Sequence, residues 1–217
     1  MIDFHTHTFL SDGELVPAEH IRRAEVRGYR VLGISDHADF ATMEFCVAAA
    51  RLAAGAENEL GRMTVIAGVE LTHLRPAHIA RCVEQARKLG AQCVIMHGET
   101  VVEPVEPGTN RAAIEAGVDI LAHPGLIGPE DVKLAAQRGV RLEISARCGH
   151  SLTNGHVARL ARSAGAKLIF GSDAHSCGDF PTRPFAQTIC RGAGLSDEEV
   201  AAMFADAQQL AKRLAAR

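Results

Sequence analysis

Two histidines with one residue between them close the first apolar run of the chain, Met1-Ile2-Asp3-Phe4-His5-Thr6-His7. Residues two apart on a strand point to the same side, so His5 and His7 can aim at one point while Thr6 faces away. Two imidazoles converging at a strand end suit a transition metal, zinc most often. The pair alone is a weak signal, because His-x-His also decorates surfaces. It gains weight from the ends of the later apolar runs. These lead into Asp36-His37, Gly68-Val69-Glu70, His97-Gly98-Glu99, His123-Pro124-Gly125 and Ser172-Asp173-Ala174-His175, and Ser11-Asp12-Gly13 comes after the first run. Neighbouring divalent ions acidify a bound water and clamp a phosphoryl oxygen. Attack on phosphorus needs charge neutralisation more than covalent catalysis. The sequence has neither a serine nucleophile elbow nor a P-loop, so phosphate-ester hydrolysis is the natural reaction for these residue types.

The elements that must position these groups alternate as strand, loop, helix. Short apolar runs at Val31–Ile34, Thr64–Ala67, Cys93–Met96, Ile120–Ala122, Arg141–Ser145 and Lys167–Phe170 join the opening run as seven expected strands. Between them, helices are expected from Pro17 to about Arg27, Met43 to Leu60, Pro76 to Leu89, about Asn110 to Ala116, Pro129 to Arg138 and His156 to Ser163. Proline at a first turn and glycine just past the end mark several of them. Asn154 is a candidate cap. The final helix, about 196–214, has the clearest start. Ser196 and Glu199 form a capping box, flanked by Leu195 and Val200 in staple positions. Its apolar face of Val200, Met203, Phe204 and Ala207 should pack on the body.

Buried strands alternating with helices imply an α/β fold with a parallel sheet. An open sheet and a closed barrel both fit that alternation. Ligand-type residues end six of the seven runs, and strands far apart in an open sheet could not share a site. A barrel brings every strand's C-terminal end to one rim. A distorted seven-stranded (β/α) barrel, one domain over residues 1–217, is therefore expected. The longest irregular stretch, 98–109, is the kind of loop that carries function.

With these residues in place, the sequence resembles the PHP (polymerase and histidinol phosphatase) superfamily of metal-dependent phosphoesterases. The resemblance rests on His5-Thr-His7, Asp12, Asp36-His37, Gly-Val-Glu70, His97-Gly-Glu99, His123-Pro-Gly125 and Asp173-Ala-His175, and covers residues 5 to 175. It implies two to three divalent metal ions, Zn, Mn or Fe. His5 and His7 with Asp173 would hold the first ion. Glu70 would bridge to the second, completed by His97 and His123. Asp12, His37 and His175 would hold the third, with Asp173 and His175 also counted as catalytic. It also implies a small phosphorylated substrate, histidinol phosphate being the best-known one. The alternatives are a phosphodiesterase or exonuclease acting on nucleotides or short oligonucleotides, and a barrel that binds metal without catalysis.

Other polar residues are weighed beside these. Asp36 reads as a loop cap or a partner to a ligand, and His20 as structural. His73, with better access than His78, and Glu99 lie near the ligand motifs. The sixth strand offers no metal ligand at its tip. After it come Arg147, Cys148, Gly149 and His150, of which His150 could contact substrate or act as an acid. Arg75, Arg111, Arg147 and Arg183 all lie beyond strand ends. Arg147 and Arg183 rank first as phosphate clamps, and Arg111 opens a helix whose amides could hold an anion. The six cysteines match neither a zinc module nor a disulfide framework. The net charge of −3 with interspersed signs gives no stripe for duplex nucleic acid and no membrane-binding face. No apolar stretch is long enough to span a bilayer, and no leader pattern opens the chain, so a cytoplasmic protein is expected.

Overall fold

A computed structural model describes all 217 residues. Its strands are β1 (Ile2–Asp3), β2 (Val31–Ile34), β3 (His37–Ala38), β4 (Thr64–Leu71), β5 (Cys93–His97), β6 (Ile120–Ala122), β7 (Arg141–Ser145) and β8 (Leu168–Gly171). All pairings are parallel, in the order β1-β2-β4-β5-β6-β7-β8, with β3 also on β4. β2 and β3 are one stave interrupted at Ser35 and Asp36, so the sheet has the seven staves expected. The run after β1 closes it. Thr6 bridges Ala174, His7 N donates to Ala174 O at 2.8 Å, and Asp173 N donates to His5 O at 3.0 Å. The result is a nearly closed, distorted parallel barrel.

The helices are α1 (Pro17–Val26), α2 (Met43–Leu60), α3 (Pro76–Lys88), α4 (Thr109–Ala116), α5 (Pro129–Arg138), α6 (Asn154–Ala164), α7 (Arg183–Gly192) and α8 (Asp197–Ala215). Two differ from the sequence reading. α7 lies where no helix is expected, although Thr182 caps it by accepting from Phe185 N and Pro184 sits in its first turn. Asn154 is no cap. It lies inside α6, where its side chain accepts from Ser145 N at 3.0 Å and donates to Ser145 O at 2.8 Å, tying the helix to the end of β7.

The barrel interior is small and apolar: Phe4, Ile66, Ile95, Ile120 and Ile169 pack against Ala207, Leu210, Ala211 and Leu214 of α8. A second apolar layer lies between the staves and the surrounding helices. The capping box of α8 forms as read, with Ser196 and Glu199 exchanging bonds. From there the helix crosses the N-terminal mouth. Asp206 pairs with Arg141 and Lys167 at the starts of β7 and β8, and Arg217 pairs with Asp119 before β6. That plug leaves the opposite rim as the open end. No helix is long and apolar enough to cross a membrane.

Candidate metal centre

Each stave delivers one or two side chains to the C-terminal rim. His5 and His7 point inward as the two-residue spacing requires, and both are buried. Thr6 turns outward, donating to Gly33 O at 2.6 Å, and His20 of α1 meets the same hydroxyl at 2.7 Å. His20 thus braces the first stave from outside. Asp36 accepts from Thr8 N, Thr8 Oγ1 and Ser11 Oγ at 2.7–2.8 Å and fixes the loop that carries Asp12.

All nine expected ligand residues come together. His5 Nε2 lies 3.3 Å from Glu70 Oε2 and 3.7 Å from Asp173 Oδ1. His7 Nε2 lies 3.5 and 3.2 Å from the same two oxygens. His123 Nε2 is 3.6 Å from Glu70 Oε1. Asp12 Oδ1 is 3.5 Å from His37 Nε2 and 3.1 Å from His175 Nε2. Two donors each 2.0–2.2 Å from one ion lie about 2.9–3.5 Å apart, so most of these separations have the length of coordination edges. Several donor atoms are also buried without any hydrogen-bond partner, Nε2 of His5 and His7 and Oε1 of Glu70 among them, while Glu70 Oε2 lies 2.8 Å from His37 Nδ1. Unpaired buried polar atoms are costly. Side chains of this kind, aimed at shared points, fit a cluster of cations.

The groups divide into overlapping sets whose donor atoms all lie within 4.8 Å of one another: His5, His7, Glu70; His5, His123, Asp173; His7, Asp12, His37, His175; and His97, His123, His150. Glu70 and Asp173 also reach beyond their own sets: Glu70 Oε1 lies 3.6 Å from His123 Nε2 and Asp173 Oδ1 3.2 Å from His7 Nε2. The tautomers are set by the outer bonds. His97 Nδ1 donates to Gly98 O at 3.2 Å, which leaves Nε2 for the site. His5 Nδ1 donates to Glu143 Oε1 at 2.6 Å, with the same result.

Glu143 is the residue the sequence reading missed. It is fully buried in β7, and its other oxygen accepts from His123 N at 3.0 Å. One carboxylate therefore orients a ligand of the first set and the backbone of the second, the usual partner of a metal-bound imidazole. Gly171 makes room for it, since a Cβ there would sit 1.8 Å from Glu143 Oε1. A glutamate between Leu142 and Ile144 in a buried strand was the available signal.

Charge is strongly perturbed here. Burial opposes charge on every group, yet the Glu143, Glu70 and Asp173 carboxylates hold His5 well above the ordinary histidine range. Burial and the charge of His37 hold His7 well below it. Burial raises Asp173 to about 6, whereas His5 and His37 overcome burial to keep Glu70 well below the carboxylate range. Only three non-glycine residues have left-handed backbone, His73 (φ 50°), His123 (27°) and Asp173 (53°), and all sit at stave ends on this rim. Such strain gathers at functional sites.

The remaining candidates sort by position. His150 is buried, ring-stacked on His123 with centroids 4.0 Å apart, and held by Thr100 Oγ1 at 2.7 Å. Arg147 is at the rim. Its Nη1 lies 2.7 Å from His175 Nδ1 and donates to Asp173 O at 3.2 Å. Beside it opens a cavity of about 630 Å³, lined by Arg147, Asp173, Arg27, Phe180 and Phe185 among others. Arg183 is not brought to the site. It begins α7, with its guanidinium 4.6 Å over the Phe204 ring of α8, and lines a hollow with Met1 and Arg30 at the plugged end. Arg111 pairs with Asp131 across α4 and α5, and Arg75 with Glu106. Glu99 caps the start of α4, accepting from Gly108 N and Asn110 N, and so stays outside the cluster. Cys46, Cys82, Cys93 and Cys190 are buried free thiols, while Cys148 and Cys177 are exposed and outside the donor sets.

The sequence pattern of the PHP domain matches residues 3–141. The chain belongs to the PHP-domain family. An uncharacterized protein of Methanocaldococcus jannaschii is 45% identical over 203 residues, covering 91% of this chain and 92% of that one. Among solved structures, histidinol phosphate phosphatase of Lactococcus lactis, complexed with zinc, L-histidinol and phosphate, superposes with a TM-score of 0.61 at 16% identity, covering 90% of this chain and 94% of that one. A chain from archaeal ribonuclease P with mature tRNA superposes with a TM-score of 0.68 at 16% identity, covering 97% and 90%. These structural likenesses agree with the barrel. The family is one of metal-dependent phosphoesterases, and a PHP-type multi-metal site suits the buried donor clusters.

Proposed function

We propose that this protein is a metal-dependent hydrolase of a small phosphomonoester. The observation that carries the reading is the rim itself: buried, unpartnered imidazole and carboxylate donors at coordination-edge spacing, with a guanidinium and a cavity alongside. His5, His7, Glu70 and Asp173 would hold the first ion. Glu70, His97 and His123 would hold the second, and Asp12, His37 and His175 the third. This nitrogen and oxygen donor set suits Zn, Mn or Fe(II). The ions would supply charge neutralisation at phosphorus and a water acidified to neutral pH.

The chain's own groups do the rest. Arg147, fixed by Asp173 O and His175, presents its guanidinium to a phosphoryl oxygen. Asp173 and His175 line the reacting position. His150 turns Nε2 inward, because Thr100 takes Nδ1. Burial keeps it below the ordinary histidine range, which favours proton acceptance or substrate contact over the acid role. Glu143 holds His5 in register. Exposed Phe9 and Leu126 sit on loops beyond the stave ends and exposed Leu152 and Phe185 on helical turns that follow them, and the cavity by Arg147 takes the leaving group.

The test is hydrolysis of p-nitrophenyl phosphate and bis-p-nitrophenyl phosphate by protein loaded with Mn or Zn. Monoester cleavage should be faster. It should be lost on chelation and fall by more than about 100-fold in Asp173→Asn, beyond what losing an outer partner of a metal ligand costs. Histidinol phosphate is then the first natural ester to try. Preference for the diester would replace this reading with a nucleotide or oligonucleotide phosphodiesterase, which the likeness to the ribonuclease P chain motivates. Bound metal without cleavage of either ester, histidinol phosphate or short oligonucleotides would leave a non-catalytic metal-binding barrel.

A further inference from the structure

The loop between β5 and α4 carries a carboxylate that the ligand set above does not use. Glu103 Oε2 lies 3.0 Å from His97 Nε2 and 3.1 Å from His73 Nε2, and Glu103 Oε1 lies 3.4 Å from His150 Nε2. Three imidazoles from three different stave ends thus meet one loop carboxylate. The loop is built to hold it there. Glu99 ties the loop's start to Gly108 N and Asn110 N, and Arg75 grips Glu106. His73 supplies an independent observation. It is one of only three non-glycine residues with left-handed backbone, and the other two, His123 and Asp173, belong to the metal cluster. Its strained backbone carries an imidazole that meets Glu103.

Resting on the metal-site reading, we propose that Glu103 is a loop-borne ligand to the ion held by His97, with His73 as the residue that positions it. His97 has one free nitrogen, because Nδ1 is taken by Gly98 O. Glu103 Oε2 lies one coordination edge from that nitrogen, and His73, His97 and Glu103 offer donor atoms all within 4.8 Å of one another. The inner ligands His97 and His123 are buried, whereas Glu103 is 37% exposed and faces solvent. This ion therefore has a ligand on a surface loop, and its occupancy depends on that loop being seated.

The experiment measures ion content of the full chain by mass spectrometry, Zn and Mn affinity by competition with a chromogenic chelator, and the visible spectrum of the cobalt-loaded protein. Glu103→Gln and Glu103→Ala should weaken one class of ion on the order of tenfold or more, leave the others in place and change the cobalt spectrum. His73→Ala should weaken the same class. His73→Gln, whose amide can still donate to Glu103, should restore most of the loss. Unchanged ion affinity and spectrum in both Glu103 variants would overturn the assignment while the metal reading stood. A wild-type chain that takes up no divalent ion would overturn both. An ion lost with Glu103 from a protein that hydrolyses no phosphate ester would leave the ligand assigned and the proposed activity refuted.

Discussion

The two ends of the barrel bury charge in opposite ways. At the N-terminal mouth every carboxylate is bracketed by cations: Asp119 meets Arg87 and Arg217, and Asp206 meets Arg141 and Lys167. At the C-terminal rim eight histidines and four carboxylates crowd together, and key donor atoms have no partner. The mouth is matched within the chain, and α8 seals it. The rim is matched only when something from outside joins it. One end is arranged for stability and the other gives up stability to hold a site ready.

The largest test of that contrast is ion binding to the rim. Adding Zn or Mn to chelator-treated protein should stabilise it by about 4 kcal/mol at a free ion concentration 1,000 times Kd. Differential scanning fluorimetry should then show a rise of roughly 8–16 °C in Tm for a chain of this size. No rise would mean that the rim is as self-sufficient as the mouth.

Next in size is the mouth. Asp206→Asn leaves Arg141, only 3% exposed, without its charge partner, and should cost about 3 kcal/mol in urea unfolding at neutral pH. Burial works to raise the Asp206 pKa, but the bonds from Arg141 and Lys167 outweigh it and hold the group below its ordinary value. A depressed carboxylate contributes its stability above the unfolded-state pKa and loses it as pH falls through the folded value. The gap between variant and wild type should therefore be full at neutral pH and close in strong acid. A gap that widens in acid would show that Asp206 acts other than as a paired carboxylate.

The smallest expected effect sharpens the boundary between the two ends. Arg183→Ala loses only the contact of an exposed guanidinium with the buried Phe204 ring, and Arg111→Ala only a partly exposed ion pair with Asp131. Each should cost less than about 1 kcal/mol and leave the KM for a phosphomonoester unchanged, while Arg147→Ala raises it. A raised KM in Arg183→Ala would extend the site far beyond the rim.

These contrasts also mark what could be read from residue order. The nine ligand candidates were legible because each lies past the end of its own apolar run, and a parallel barrel sends every such position to one rim. Helix starts with proline and the capping box of α8 were legible because their chemistry is local. α7 went unread, and with it Arg183 was placed on the wrong end of the molecule. The segment between β8 and α7 carries the chain from the rim to the mouth, where Tyr29 Oη donates to Pro181 O, so Arg183 in the first turn of α7 is already at the plugged end, and nothing short-range says so. Glu103 and Glu143 were missed for different reasons. Glu103 sits in a loop whose path is set by distant bonds, and Glu143 faces inward at a position where Gly171 of the next strand leaves room.

The sequence by itself determined the alternation of elements, the residue types at the strand ends and so the chemistry on offer, because strand period, caps and ligand identity are short-range properties. The tertiary structure alone decided which atoms face one another. Barrel closure through Thr6 and Ala174 sets the spacing between His7 and Asp173. The crossing of α8 decides which end is sealed, and the bond of Glu143 to His5 decides which nitrogen is free. Those are contacts between residues far apart in the chain, made only when the seventh stave meets the first.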